Sequence, residues 1–233
     1  MQKFSCQEDR SLHAYIFFAC FFSVIIVISN CVGLKFIPLP FYPDFPLAIG
    51  ALSYPLSFLL TDIVSEIWGE KRANWMVYCG FAMSLFTMAF IQLAVSLPPH
   101  SAWYNPNNSF SYTKLEDFQQ AYESVFHANI TRFVASTLAY MTAQLIDIRI
   151  FHFIKSLTGN KHLWLRNNLS TLLSQLVDTA IVGSIIYYYG LEMDFFVGLK
   201  VMCVLYIYKA IFALIDTPFV YLGVALTRHI IKI

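Results

Sequence analysis

Arg132, Ser136-Thr137-Leu138 and Gln144-Leu145-Ile146-Asp147 are followed in the same order by Arg166, Ser170-Thr171-Leu172 and Gln175-Leu176-Val177-Asp178. The first copy has three extra residues before its glutamine, close to one helical turn, so both copies can present comparable faces. A glutamine and an aspartate at i and i+3 project from one side of a helix. Both copies lie inside apolar stretches, where such groups are costly and mark a ligand or ion pathway. The expected chemistry is a paired polar site within a helical bundle.

A second acidic feature, Asp62 and Glu66, has i, i+4 spacing, which puts both carboxylates on one helix face. Glu66, near a membrane interface, could instead simply pair with Lys71 or Arg72. Asp178 is expected to be the most deeply placed acid, since it falls mid-span. Alone in lipid its charge would be expensive, so it should face inward and pair with a cation such as Lys209, or take up a proton. A structural ion pair is the plainer alternative. Gln144, Gln175, Ser136, Ser170, Ser174 and Asn30 add neutral donors and acceptors, although Ser and Thr in membrane helices commonly bond only to backbone carbonyls or neighbouring helices. A carboxylate accepting two neighbouring N–H groups, completed by an amide, suits the edge of a flat, guanine-like molecule. Trp68, Tyr140 and Tyr187 could supply stacking surfaces, and the same rings could equally be interfacial anchors.

Other chemistries lack their residues. The chain has no Gly-x-x-x-x-Gly-Lys-(Ser/Thr) phosphate loop, no His-Glu-x-x-His and no Gly-x-Ser-x-Gly. Its cysteines, Cys6, Cys20, Cys31, Cys79 and Cys203, are scattered, with no Cys-x-x-Cys and no Cys/His cluster. They read as buried free thiols acting as small hydrophobes. No metal or cofactor is expected, nor any catalytic residue.

The elements that must position these groups follow from composition. Of 233 residues, 58% are hydrophobic and 12% charged, about half the share usual in soluble domains. Spans of about 20 apolar residues are expected at 14–32, 45–66, 73–97, 127–153, 168–189 and 195–226. The expected fold is therefore an all-α integral membrane protein, one transmembrane domain over 1–233, a compact bundle of about six helices. The first run lacks a small-residue cleavage site and reads as a retained span rather than a signal peptide. Net charge is +1, which gives no argument for contact with nucleic acid. Lys3 and Arg10, Lys71 and Arg72, Lys155, Lys161 and Arg166, and Arg228 and Lys232 fall on alternate links, whereas the other links carry only Lys35 and Lys114. By the positive-inside rule both termini then face the cytoplasm.

Within these spans, Pro46, Gly50 and Pro55 mark the second as broken, as in transporters that expose backbone to substrate, or else as a tilted helix with a proline kink. Pro218 is expected to kink the sixth near its inner end. The loop from Pro98 to Tyr122 is a lid or partner surface, or a plain spacer. The sequons at Asn107 and Asn129 are short patterns that arise by chance. Spans four and five should run antiparallel through Gly159. Asp178 with Gln175 is the favoured ligand or proton site, and Asp147, close to Arg149, is expected to be mainly structural.

Several of these residues together resemble the queuosine precursor transporter family, which is also grouped with vitamin uptake transporters. The resemblance rests on Ser29-Asn30 and Lys35, on Tyr54-Pro55-Leu56-Ser57-Phe58 with Thr61-Asp62, Glu66 and Gly69, and on Arg132 and Ser136. It continues through Ser170, Gln175 and Asp178-Thr179 to Lys209 and Thr217-Pro218, covering nearly the whole chain. Asp-x-x-x-Glu followed by an aromatic residue and Gly is its most specific part; Trp68 stands where the family pattern has Tyr. The resemblance implies a multi-pass protein of the bacterial inner membrane that imports 7-deazaguanine bases, such as 7-cyano-7-deazaguanine, its aminomethyl relative or queuine, for transfer RNA modification. It implies that Asp62 or Asp178 grips the N–H edge of the base and that Gln144 and Gln175 bond the remainder. Arg132, Asp147 and Lys209 would balance charge. Asn30 and Glu66 complete the candidate binding set, with Ser136 and Ser170 in support. Expected partners are the base and the lipid bilayer, with a homodimer or a separate energising module left open. The alternatives are a substrate-binding component of an ATP-driven system, or an intramembrane enzyme built on an acid pair.

Overall fold

The structure is a computed structural model and describes residues 2–33, 35–39, 42–103, 114–126, 130–159, 161–190 and 192–232. Four helices in it are long and apolar enough to cross a membrane: Gln7–Val32, Glu70–Ser96, Leu163–Tyr189 and Phe195–Ile231. The first belongs to α1 (Gln2–Val32), the second is α3 (Glu70–Ser96), and the fourth is α7 (Phe195–Ile231). The third joins α6 (Leu163–Gly183) to the π-helical turn Ser184–Gly190. Two further helices complete the bundle, α2 (Tyr54–Trp68) and α5 (Ile130–Thr158). Helix α5 has 29 residues but is more polar, and the 15 residues of α2 reach only about 22 Å, short of a bilayer core of about 30 Å.

The second expected span is thus only partly right. Its start, 45–53, does not belong to the helix. Phe36–Leu39 (β1) pairs antiparallel with Tyr42–Ala48 (β2), and a 3₁₀ turn at Ile49–Leu52 leads into α2. Pro43 and Pro46 deny the backbone N–H groups a helix needs, and each pushes the residue before it to an extended conformation. A two-stranded hairpin has only edge strands, so it tolerates proline, and Pro38 faces Pro46 across it. Pro55 falls in the first turn of α2, where its missing N–H costs nothing. The all-α expectation therefore holds for the bundle and misses this hairpin.

Helix α2 is the axis of the molecule. It touches α1, α3, α5 and α7, and Leu60 to Ser65 are buried without a break. A helix packed by four neighbours leaves little room for an exposed polar stripe, so its buried polar groups must find partners inside. Helices α5 and α6 pack antiparallel along each other through Gly159, which has φ +57°. Two larger groups make up most of the apolar core, with a smaller one around Tyr208. One joins Phe22, Val64, Met76 and Ile148, and the other joins Ile63, Phe151, Val220 and Val224.

The outer surface is apolar, with Phe17, Trp75, Phe86, Phe90, Leu157 and Phe196 exposed, while Thr61, Asp62, Gln144, Asp147, Ser174 and Asp178 are buried. That inversion of the soluble pattern fits a lipid solvent. Cys20, Cys79 and Cys203 lie on this outer surface and Cys31 is half-buried, so the expectation of thiols buried within the protein fails for these four. Helix α7 continues unbroken through Pro218. The loop after α3 holds a short turn at Ser101–Trp103 and α4 (Leu115–Phe126), joined by ring contacts of Trp103 with Phe118 and Tyr122. Asn107 and Asn129 lie outside the described residues.

Candidate functional site

Tyr54, Phe58, Asp62 and Glu66 stand one turn apart along α2, about 6 Å per step, and each meets a different set of partners. The polar interior is therefore stacked in three levels between α2, α5, α6 and α7.

At the first level, Lys209 of α7 donates to Asp178 Oδ2 of α6 at 2.5 Å and stands 4.7 Å from the centre of the Tyr54 ring. Tyr54 meets Tyr140 of α5 edge-on at 5.3 Å. The Tyr140 hydroxyl accepts from Gln144 Nε2 at 2.8 Å, and the same amide lies 3.4 Å from Ser57 Oγ. Beside this network runs a cleft lined by Tyr54, Phe58, Thr171, Gln175, Lys209 and Asp216. Its volume is about 10 Å³, room for about one water, so the site is closed to anything larger. Asp178 Oδ1, Gln175 Oε1 and Gln144 Oε1 are buried here without a hydrogen-bond donor among the described residues. Three such acceptors together are unusual, because buried polar atoms are nearly always paired.

At the second level, Asp62 and Asp147 meet side chain to side chain, 1% and 0% exposed. Ser174 Oγ donates to Asp147 Oδ1 at 3.2 Å, and the Ser170 and Thr171 hydroxyls also lie against this carboxyl. Neither carboxyl has a cation in salt-bridge contact among the described residues.

At the third level, Glu66 collects three cations from three helices: Lys155 at 3.0 Å, Arg166 at 2.6 Å and Arg228 at 3.2 Å. These groups and His162, Tyr221 and Val224 line a vestibule of about 570 Å³. Arg166 is 1% exposed and stacks over the Phe151 ring at 5.4 Å, so its charge depends on Glu66.

These levels place the expected residues unevenly. Asp178, Gln175, Gln144 and Lys209 come together, and the Asp178–Lys209 pair forms as expected. Asp147 departs from expectation: Arg149 is exposed, and Asp147 instead faces Asp62 at the centre of the bundle. Asp178 and Asp147 are both fully buried. Glu66 pairs with neither Lys71 nor Arg72. Asn30 is drawn to another place, where its amide donates to Ser84 Oγ of α3 at 2.6 Å. Trp68 bonds Ser11 at 2.9 Å and packs on Tyr15 and Phe18, away from the cleft. Ser136 is half-buried on α5. Arg132 belongs to α5, but its side chain lies outside the described residues.

Sequence reasoning missed Tyr54, Phe58 and Arg166 as members of the interior. The four-residue spacing of Tyr54, Phe58, Asp62 and Glu66 was the available signal. Arg166 headed the second copy of the repeated pattern but also fell on a basic link, and its burial against Glu66 places it in the interior.

A family model described as "Putative vitamin uptake transporter" matches residues 48–223. The chain is 29% identical over 174 residues to a "Probable queuosine precursor transporter" of Bacillus subtilis, covering 74% of this chain and 69% of the relative. A protein of the same description from Haemophilus influenzae is 28% identical over 201 residues, 79% of this chain and 74% of that one. The "Queuosine precursor transporter" of Escherichia coli is 27% identical over 131 residues, 56% of this chain and 50% of its own length. No solved structure matches the chain.

Proposed function

The chain belongs to the vitamin uptake transporter family and is a multi-pass membrane transporter of the queuosine precursor group; on that premise we propose that its cargo is a 7-deazaguanine base. The single observation that carries this reading is the trio of donor-less acceptors, Asp178 Oδ1, Gln175 Oε1 and Gln144 Oε1, beside Tyr54 and Phe58. A guanine-like base offers several N–H donors along a flat edge, so it can satisfy all three while its faces stack on the rings. The Lys209 ammonium and the Tyr140 hydroxyl are the donors left for its carbonyl. A neutral base also leaves the Asp178–Lys209 charge balance undisturbed.

The closed cleft supports alternating access, with one side of the bundle moving against the other to admit the base. Direction follows from charge. The amino terminus, the α2–α3 joint and the carboxyl terminus lie at one end of the molecule: Gln7 donates to the Lys232 carbonyl at 3.2 Å, and Tyr15 donates to the Arg72 carbonyl at 3.0 Å. That end carries Lys71, Arg72, Lys155 and Arg228, which supports an inner-membrane protein with both termini in the cytoplasm. The vestibule around Glu66 then opens inward and the Tyr54 cleft outward.

The test is uptake of labelled 7-deazaguanines by cells that can neither make nor otherwise import them. Wild type should restore uptake. Asp178→Asn and Gln175→Ala should each lower it at least tenfold with unchanged amounts of membrane protein. Full uptake in both variants would sink the assigned site, and no uptake of any deazaguanine by wild type would sink the cargo.

A further inference from the structure

We propose that Asp62 and Asp147 form a proton-binding dyad that couples passage of the cargo to the proton gradient across the membrane. The proposal rests on the transport reading above, and it assigns the dyad a task separate from gripping the base.

The first argument is contact. Two carboxyl groups meet in a fully buried place, with no cation in salt-bridge contact with either among the described residues. Two adjacent carboxylates buried without a counter-charge in contact repel each other strongly, which favours one proton shared between them. The Ser174 hydroxyl donates to Asp147 Oδ1 at 3.2 Å and the Ser170 and Thr171 hydroxyls lie against the same carboxyl, which suits the member of the pair that keeps the negative charge. Asp62 Oδ1 and Asp147 Oδ2 remain buried with no donor besides, leaving a place for a second proton. With one proton the dyad carries one negative charge; with two it is neutral.

The second argument is position. The dyad separates the two cavities. Thr171 lines the closed cleft and also lies against Asp147; Asp216 lines the same cleft and lies within electrostatic reach of Asp62. In the other direction, Glu66 stands one turn from Asp62 on α2, and its partner Arg166, within electrostatic reach of Asp62, lines the 570 Å³ vestibule. A proton taken up from the cleft side therefore has a short exit to cytoplasmic water. The charged and titratable groups around the dyad are Asp216 and Lys209 of α7, Arg166 and Asp178 of α6, Tyr140 of α5 and Glu66 of α2. Of these, Asp178 and Glu66 are ion-paired, so the dyad is the buried acidic pair free to change its proton count as the bundle moves.

Coupling in this scheme needs no covalent chemistry. The neutral dyad lets the bundle move with the base aboard, the second proton leaves to the vestibule as the base is released, and the emptied, singly protonated dyad swings back to take its next proton from outside. One proton enters with each base.

Two measurements on the purified full-length protein decide the matter. Infrared spectra should contain a protonated-carboxyl band at neutral pH that is lost in both Asp62→Asn and Asp147→Asn; an unchanged band in both variants would overturn the dyad. In vesicles holding the protein alone, an inside-alkaline gradient of about one pH unit should drive wild type to about tenfold accumulation of a labelled deazaguanine. Both variants should bring it only to equal concentrations. Accumulation by the variants equal to wild type, or accumulation driven by a sodium gradient at equal pH, would overturn coupling through this pair. If wild type moves no deazaguanine at all, the cargo reading fails, and the infrared result alone decides whether the proton site exists.

Discussion

Asp178 has its cation at 2.5 Å in a buried place, whereas Arg228 keeps half its side chain in solvent while it touches Glu66. The two pairs should therefore answer truncation differently. Lys209→Ala leaves a buried carboxylate with no counter-charge, and it should cost about 3–5 kcal/mol. Lys209→Met together with Asp178→Asn should recover most of that stability, but not transport. Arg228→Ala should cost about 1 kcal/mol or less, since an exposed ion pair contributes little. Glu66→Ala belongs with the first class, because it strands Arg166, which is 1% exposed. Thermal unfolding of the purified proteins in detergent ranks all four. The Asp178–Lys209 pair was legible because each is a lone charge in an apolar stretch, and such charges need one another. The partner of Asp147 was not legible. Arg149 is close in sequence, but residues two apart on a helix do not face each other, and the true neighbour, Asp62, is far away along the chain.

At the scale of elements, α2 shows how a short helix can carry a site. Its apolar length falls short of a span, yet four neighbouring helices cover most of it, so the polar side chains of its middle turns are enclosed by protein. The hairpin before it takes up the missing length and is tied to α1: Ile49 N donates to the Lys35 carbonyl at 2.8 Å, and Ser53 and Ser29 hydroxyls meet at 2.5 Å. Reading 45–66 as one helix followed from its apolar run, and hydropathy alone does not tell an apolar strand from an apolar helix. Proline was the decisive clue, since four of the residues from 38 to 46 are proline. The close approach of α1 and α3 gives a separate prediction. A Cβ on Gly80 would lie 2.6 Å from Phe22 Cε1, and Phe22 is fully buried with no room to turn. Gly80→Ala should therefore destabilise the fold by about 1–3 kcal/mol, read by the same thermal unfolding, and leave the interior acids untouched.

At the scale of the whole molecule, topology is the testable quantity. A cysteine placed at Lys114 in a variant lacking the native cysteines should react with a membrane-impermeant reagent added to intact cells. One placed at Lys232 should react only after the membrane is opened; the reverse pattern would invert the proposed orientation. The sequence by itself determined the solvent and the family. An apolar composition with few charges requires lipid, and the family motifs are local runs of residues, because both depend on residue type and order alone. It also determined that Asp62, Asp147, Asp178 and the two glutamines are costly and so point inward. The tertiary structure alone decided which of them meet. Contact between Asp62 and Asp147, the three cations on Glu66 and the unpaired buried acceptors of Gln144, Gln175 and Asp178 depend on helix rotation and depth. Those are fixed by close packing between helices distant in sequence, which periodicity along a single helix does not encode.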